Sequence, residues 1–450
     1  MNDTPPPPQV TRREAFLYWL KLGFISFGGP AGQIALMHTE LVERRRWISE
    51  GRFLHALNYC MLLPGPEATQ LAIYIGWLLH RTWGGIVAGL LFILPSLAIL
   101  IGLAWIYLAF GHLAPVVGIM NGIKPAVVAI VLAAAWRIGS RTLKNGTLIG
   151  IALAAFIAIA LLELPFPLIV LGAALAGAIG GRLRPQAFQP AGAHGGAHGG
   201  KQGTPAAARP RALIDDDTPT PAHARFSAKR LAAVVLLGVG IMLLAWLLLA
   251  AWGGTRGTLA QMGWFFTKAA LLTFGGAYAV LPYVVQGAVE HYGWLSAAQM
   301  IDGLALGETT PGPLIMIVAF VGFVGGWTHA LLGPAALPLA GVLGAAVAAL
   351  FTFVPSFIFI LAGGPLVEST RGNLRLTAPL TAISAAVVGV IASLALYFGR
   401  EVFFAGGTVQ WQAILLGVAA AIALLRYRVG TITLLAACAL AGLVLSYWHG

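Results

Sequence analysis

Charge is scarce in this chain. Of 450 residues only 9% are Asp, Glu, Lys or Arg, against roughly 25% in a soluble domain. Hydrophobic residues make up 59%, and the mean hydropathy is +0.86. An ordinary soluble globular protein is excluded. Cysteine is nearly absent: Cys60 and Cys438 both lie in apolar stretches, which leaves no disulfide framework and no cysteine-based metal site. The sequence has no Cys/His cluster, dinucleotide-binding glycine pattern or haem attachment motif. Nothing points to a redox enzyme, and no cofactor or metal is expected. The N-terminus lacks the charged stretch and short apolar core of a cleavable signal; Pro5 to Pro8 and Thr11-Arg12-Arg13 read as a cytoplasmic tail. Net charge is +12, yet no basic stretch is interleaved with aromatics. The excess is assigned to cytoplasmic loops, not to nucleic acid.

What the chain does have is apolar runs long enough to cross a bilayer. Six fill the first half, at about 15–37, 53–80, 83–110, 114–136, 147–163 and 166–181. Residues 182–229 interrupt them with Pro, Gly, Ala and Arg, a short repeat from Ala193 to Gly200, and Asp215-Asp216-Asp217. This composition predicts a flexible cytoplasmic linker, in which His194 and His198 belong to a tether and not to a metal site. A lone apolar helix follows at about 230–252. Six further segments lie at about 260–286, 299–325, 335–363, 376–398, 411–425 and 431–448. The expected fold is an all-α polytopic membrane protein: a tail (1–14), a first repeat (15–181), the linker (182–229), a connecting helix (230–252) and a second repeat (260–450).

The two groups of six are copies. Lys21, Phe27, Gly28, Gly29, Trp47, Ser49, Pro64, Gly65 and Pro66 recur as Lys268, Phe274, Gly275, Gly276, Trp294, Ser296, Pro311, Gly312 and Pro313, every pair 247 positions apart. Pro95-Ser96 and Ala126-Val127-Val128 recur as Pro355-Ser356 and Ala386-Val387-Val388, 260 positions apart. A single insertion of 13 residues, placed at Trp327 to Leu339, accounts for the change. One odd helix between the copies inverts the second relative to the first. Loop charge agrees. Arg44, Arg45, Arg46 and Arg52 follow the first segment, whereas the equivalent stretch at about 287–298 has no Lys or Arg, the contrast that opposite sidedness requires. Arg137, Arg141, Lys144, Arg371, Arg375, Arg426 and Arg428 read as inside, and the C-terminus as outside.

Arg12 and Arg13, Arg44 to Arg46, and Arg81 all look cytoplasmic, which simple crossings cannot satisfy. Re-entrant hairpins can: the first two segments of each repeat enter, turn at a central Gly/Pro break and return. Irregular backbone at membrane depth is tolerated only where protein or a wet cavity satisfies its polar groups. Kinked full crossings with an Arg-rich outer loop are the alternative.

Broken segments at matching positions in two halves point to the substrate site of a secondary transporter. A helix that begins after such a turn presents unpaired N–H groups and the positive end of its dipole. Pro30 and Pro66 suit a helix start, and Gly28 and Gly29 leave the backbone approachable. The four breaks are Phe27 to Pro30, Pro64 to Pro66, Phe274 to Gly276, and Pro311 to Pro313 with Thr310 before it. If their tips meet, they form a cradle for an oxyanion; packing kinks are the plainer alternative. Lys21 and Lys268, two of only six lysines, lie seven residues before each Gly-Gly, about two turns away on the same face. They are expected to assist binding, against the alternative of snorkelling. Glu67 and Glu308 are candidates to carry a coupling proton, and Gln33 and Gln70 to hydrogen-bond the ligand. Asp302 is a further acid in apolar context, and Lys124 a further lysine without a repeat partner. Trp47 and Trp294 read as interfacial anchors.

The stretch Phe27-Gly28-Gly29-Pro30, the stretch Leu63-Pro64-Gly65-Pro66 and its partner Thr310-Pro311-Gly312-Pro313, with the two-half layout and odd helix, resemble the long-chain members of the chromate ion transporter family. The resemblance covers nearly the whole chain apart from tail and linker. It implies chromate efflux across the bacterial inner membrane, chromate resistance and dependence on the proton motive force, with sulfate as a structural analogue. The implied partners are a small inorganic oxyanion and the lipid bilayer; a homodimer is left open. The halves differ where Ala277, Leu314 and Ile317 stand in place of Pro30, Glu67 and Gln70, so the first half is expected to contribute more to binding. A sulfate or other oxyanion carrier, or an anion channel of the same architecture, is the alternative.

Overall fold

The computed structural model of the chain describes residues 8–188, 211–219, 221–369 and 377–448. The first half comprises α1 (Arg12–Ile25), α2 (Gly29–His38), α3 (Glu50–Cys60), α4 (Glu67–Phe110), α5 (Ala114–Thr142), α6 (Gly146–Ala160) and α7 (Phe166–Leu183). The lone helix α8 (Ala228–Gly253) follows. The second half repeats the series as α9 (Thr258–Leu272), α10 (Ala277–Val285), α11 (Ala297–Thr309), α12 (Ile317–Thr328), α13 (Leu337–Ser369), α14 (Thr377–Phe403), α15 (Trp411–Leu425) and α16 (Thr431–Trp448). Among the described residues, α4, α5, α7, α8, α13 and α14 are long and apolar enough to cross a membrane. The protein is an all-α polytopic membrane protein. Arg371 and Arg375 lie outside the described residues, as do His194 and His198.

The 247-residue spacing extends to irregularities. A stretch of π-helix follows α2 at Thr39–Arg44, and another follows α10 at Gln286–His291. The repeated serines are N-caps: Ser49 accepts from the Arg52 amide, and Ser296 forms a full capping box with Gln299. Such a cap contributes about 1 kcal/mol. The two series diverge where the spacing changes to 260. In the first half α4 breaks sharply at His80 and Arg81, the latter with φ +58°; in the second, residues 329–336 form a connection between α12 and α13.

The short segments double back. Arg45, just beyond α2, pairs with Glu14 in the first turn of α1 at 3.1 Å and lies over the rings of Tyr18 and Trp47. His80 Nε2 meets the Val10 carbonyl at 2.9 Å. The start of α1, the end of the α2 segment and the break in α4 therefore share one end of the bundle, as hairpins require. Trp47 and Trp294 are not interfacial anchors. They are 3% and 1% exposed, and pack against Tyr18 and against Phe265 and Tyr292. The turn after each hairpin is sealed by its own aromatic cluster.

Packing exchanges helices between the halves. α5 packs on α15 and α16, and α14 on α6 and α7. Small residues permit both contacts: a Cβ on Gly122 would meet Cys438 O at 2.2 Å, and one on Gly177 would meet Ala378 O at 2.6 Å. The hydrophobic core has two main clusters. The larger spans the second part of α4, α5, α7 and most of the second half. The smaller belongs to α1, α2, α3 and the first part of α4, with Ile214, Ala224 and Ile360.

Those two linker residues mark a departure from the expected flexible segment. The described part of the linker is docked. Leu213 N–H donates to Arg46 O at 2.9 Å, Ile214 N–H to Trp47 O at 3.1 Å, and Ser49 N–H to Ile214 O at 2.9 Å. Ser49 Oγ donates to Asp216 at 2.7 Å, Arg52 donates to the Thr218 carbonyl, and His223 meets Trp77 O at 3.1 Å. The Arg-rich loop thus holds the linker through the Arg46 and Trp47 carbonyls, Ser49 and the Arg52 side chain.

Candidate substrate site at a crossing of four breaks

Ser26 and Thr273 end α1 and α9. Each is fully buried, and each hydroxyl donates to the carbonyl four residues earlier, Leu22 and Ala269. Their own carbonyls accept from the opposite half. Gly312 N–H donates to Ser26 O at 2.8 Å, and Gly65 N–H donates to Thr273 O at 2.8 Å. The two bonds are related by the repeat spacing. The four breaks meet as two crossed pairs.

This geometry favours glycine, and at Gly65 and Gly312 it requires it. Gly28 and Gly275 have φ of +88° and +78°, Gly29 and Gly276 of +69° and +100°, and Gly65 and Gly312 of +122° and +102°. A Cβ on Gly65 would lie 2.6 Å from Ser356 Oγ, and one on Gly312 would lie 2.6 Å from Ser96 Cβ. The repeated Pro-Ser pairs of α4 and α13 thereby gain a role: each serine sits against the glycine tip of the other half.

Polar side chains surround the crossing unequally. Gln33, 1% exposed, donates Nε2 to Gly312 O and, at 3.3 Å, to Ser26 O. Gln70 donates Nε2 to Pro64 O at 2.7 Å. The Oε1 atoms of both glutamines and the hydroxyls of Thr69 and Ser356 are buried with no protein hydrogen-bond partner. Such groups cost about 1–3 kcal/mol each when left unsatisfied; Gln33 lies at the Ser26–Gly312 contact, and Ser356 and Gln70 lie beside Gly65. In the second half Val280, Ile317 and Met316 occupy the positions of Gln33, Gln70 and Thr69.

Not every candidate serves the site as expected. The Gly65 and Gly312 amides are committed to carbonyls, and the Thr310 hydroxyl turns back to Leu306 O at 2.7 Å. The amides left for a ligand are those of the helix starts, which have no intrahelical partner. Pro30 lies in the first turn of α2, Pro66 caps α4, and Pro313 caps the turn that leads into α12; Pro311 is buried beside it. Lys21 is exposed, on a stripe of α1 shared with the exposed Leu17 and Phe24. Lys268 is half-buried, with Nζ 5.6 Å from the Trp264 ring centroid. Neither lysine forms a hydrogen bond or ion pair among the described residues. Phe27 is half-buried. Glu67 is buried at the start of α4, and Glu308 accepts a hydrogen bond from the Tyr278 hydroxyl in the first turn of α10.

Sequence reading missed Ser26 and Thr273 because they are chemically alike but not identical. It found Ser96 and Ser356 without a role for them, and gave Tyr278 no notice. It also missed a polar link between the halves: Lys124 of α5 lies 3.6 Å from Asp302 of α11, whose same oxygen accepts from the Tyr107 hydroxyl at 2.8 Å.

A family profile described as "Chromate transporter" matches residues 13–178 and 260–443. The chromate transport protein of Cupriavidus metallidurans is 28% identical over 396 residues, covering 88% of this chain and 84% of that one. The chromate transport protein of Pseudomonas aeruginosa is 31% identical over 386 residues, covering 86% and 80%. A probable chromate transport protein of Synechococcus elongatus is 27% identical over 395 residues, covering 88% and 86%. No solved structure matches. The matched ranges take in both copies and all four breaks, and the chain belongs to the chromate transporter family of multi-pass membrane proteins.

Proposed function

We propose that the chain is a secondary transporter that exports chromate, a tetrahedral dianion, across the bacterial cytoplasmic membrane, confers chromate resistance and is coupled to the proton motive force. The crossed breaks carry this reading: two matched hydrogen bonds each join a break of one copy to a break of the other, and several unpartnered buried polar atoms lie beside them. Helix starts offer amide donors and partial positive charge to an oxyanion. The binding groups are the first-turn amides beside Gly28-Gly29-Pro30, Pro64-Gly65-Pro66, Gly275-Gly276 and Pro311-Gly312-Pro313, with Gln33, Gln70, Thr69 and Ser356. Lys21 and Lys268, on the helices that precede the two Gly-Gly turns, attract the anion by their charge. Glu67 and Glu308 carry protons near the tips.

The halves are read as inverted copies moving against each other to alternate access. The end bearing Arg12, Arg46, Arg81 and Arg141 is cytoplasmic. The connections at the other end, 111–113, 161–165, 254–257, 292–296, 329–336 and 404–410, contain a single basic residue, Arg256, as an outer face should. Export is electrically downhill: two negative charges leaving through about 100 mV gain about 4.6 kcal/mol.

The test is uptake of labelled chromate into inside-out vesicles, competed by sulfate, phosphate and molybdate. Saturable uptake that a protonophore weakens is expected, with Lys21→Ala and Lys268→Ala each reducing it. Uptake no greater than in vesicles lacking the protein refutes the reading. Tighter competition by sulfate than by chromate itself would reassign the substrate.

A further inference from the structure

A second polar site lies away from the crossing. A cavity of about 600 Å³ opens among α5, α11, α14, α15 and α16, lined in part by Asn121, Lys124, Glu401, Gln410 and Ser446. It sits at the end of the bundle where connections carry little positive charge, the outer face in the reading above. Lys124 lines the cavity and reaches back to Asp302, which is almost fully buried; the side chains are 22% and 5% exposed. The pair is loose for a structural ion pair. The charged atoms are 3.6 Å apart, both contacts to Asp302 converge on Oδ2, and Oδ1 is buried with no partner. Burying two charges costs several kcal/mol per ion, recovered only when the geometry is good and the remaining lone pairs are satisfied. This pair does not meet that condition.

We infer that Lys124 is the cation of an outward-facing oxyanion release site, and that Asp302 is the group that takes up a proton as the anion arrives. This rests on the proposed transport function and deepens it. An oxyanion in the cavity competes for the Lys124 ammonium. Once Lys124 turns to it, Asp302 would stand as an uncompensated buried carboxylate, and a proton from cavity water on Oδ1 relieves that charge. Tyr107 keeps its hydrogen bond to Oδ2 throughout. When the anion leaves, Lys124 returns and the proton goes back to the outer water, so the step links anion affinity to outer pH and carries no proton across the membrane. One proton is bound or freed per anion, and no bond other than to that proton is made or broken. The charged and titratable groups around Asp302 are Tyr107 from α4 and Lys124 from α5, with Glu401 of α14 on the cavity wall. α12 presents Phe320 against Gly303, and α16 presents Leu445 and Ser446. Lys124 has no equivalent in the second half, where position 384 is serine, so the device belongs to one face only.

The experiment uses full-length protein in liposomes and follows labelled chromate uptake and chromate–chromate exchange while the pH at the outer face is varied. In wild type, chromate affinity at the outer face should strengthen as outer pH falls, because the anion binds together with a proton. Asp302→Asn should abolish that pH dependence. Lys124→Gln should weaken outer-face chromate affinity by about tenfold or more, the loss of one charge-assisted contact. The double variant Lys124→Gln/Asp302→Asn separates binding from packing. If the pair were only structural, neutralising both partners would restore wild-type affinity and its pH dependence. Under the inference it keeps the weakened affinity of Lys124→Gln and has no pH dependence. Should Asp302→Asn not accumulate, Asp302→Glu must keep the pH dependence with a displaced midpoint. An undiminished pH dependence in Asp302→Asn, or unchanged outer-face affinity in Lys124→Gln, overturns the inference. Absence of any chromate flux in wild type would instead overturn the transport reading.

Discussion

Gly65→Ala is the sharpest probe of the crossing. At φ +122° an L-residue is strained by about 1–3 kcal/mol. The new methyl would also sit 2.6 Å from Ser356 Oγ and 2.8 Å from Gln70 Nε2. Displacing the tip weakens the Gly65–Thr273 bond, a net loss of about 0.5–1.5 kcal/mol. Together the change costs roughly 2–4 kcal/mol. Gly29→Ala is the control: its φ is +69° with no atom within 4 Å of the new methyl, so only the left-handed strain of about 1–2 kcal/mol applies. Thermal melts in detergent should therefore rank wild type above Gly29→Ala and Gly29→Ala above Gly65→Ala. Chromate uptake per unit of membrane-inserted protein should follow the same order. Gly312→Ala should match Gly65→Ala, because its Cβ would meet the less yielding Ser96 Cβ. Adding Ser356→Gly to Gly65→Ala should recover the part of the clash due to the serine hydroxyl and leave the contact with Gln70 and the strain. If Gly65→Ala melts and transports like Gly29→Ala, the crossing does not hold the halves together and the reasoning fails.

Further outcomes follow from other contacts. Gln33→Leu removes the clamp on the Gly312 and Ser26 carbonyls and should cut uptake by about tenfold or more, from a loss of about 1–3 kcal/mol, with normal protein level in immunoblots. Ser49→Ala with Asp216→Ala frees the docked linker and should make residues near 211–219 cleavable in limited proteolysis under conditions that leave wild type intact. Glu40 is held below the usual carboxylate range, chiefly by its hydrogen bond from Arg45. A lowered value means its stabilising effect is complete at neutral pH and is lost as pH falls through that value, so Glu40→Gln should flatten the acid limb of a melting-temperature profile. Gly122→Leu should prevent α5 from meeting α16 at Cys438 and abolish a monodisperse peak in size-exclusion chromatography.

Much of this was legible because repetition is a strong signal. Identities at one fixed spacing located Gly28, Gly65, Gly275 and Gly312, and each has the positive φ that explains its retention in both copies. Arginine placement suggested hairpins, and the Arg45–Glu14 pair shows why the chain returns to its start. What escaped was whatever depends on partners distant in sequence. No periodicity reveals that Ser26 faces Gly312 or that Lys124 faces Asp302. Trp47 and Trp294 were misread because an aromatic near a segment end looks alike whether it faces headgroups or folds back on its own hairpin. The docked linker escaped for a related reason: a Pro/Gly-rich stretch of low hydropathy reads as free chain, and only Arg46, Ser49 and Arg52 make its acidic end a ligand.

The crossing is symmetric in backbone and asymmetric in side chains, and the contrast bears on how such a carrier would move. The two hydrogen bonds between glycine tips and helix ends are equivalent, so a rocking motion about them can preserve both. The polar clamp is not equivalent: Gln33, Gln70 and Thr69 come from the first half alone. The same half holds α1, α2, α3 and the first part of α4 in a hydrophobic cluster of their own, joined to the rest by the break at Arg81, the crossing, and Phe357, Ile360 and Leu361 of α13. A unit with its own core can shift without repacking the larger one, because close-packed interiors resist continuous deformation. In the proposed reading, a ligand gripped mainly by that unit, at the point where it crosses the other half, would lie close to the axis of its motion. There a small rotation would change which side can reach the ligand while hardly moving the ligand itself, which is the physical reason for proposing that access alternates at the breaks.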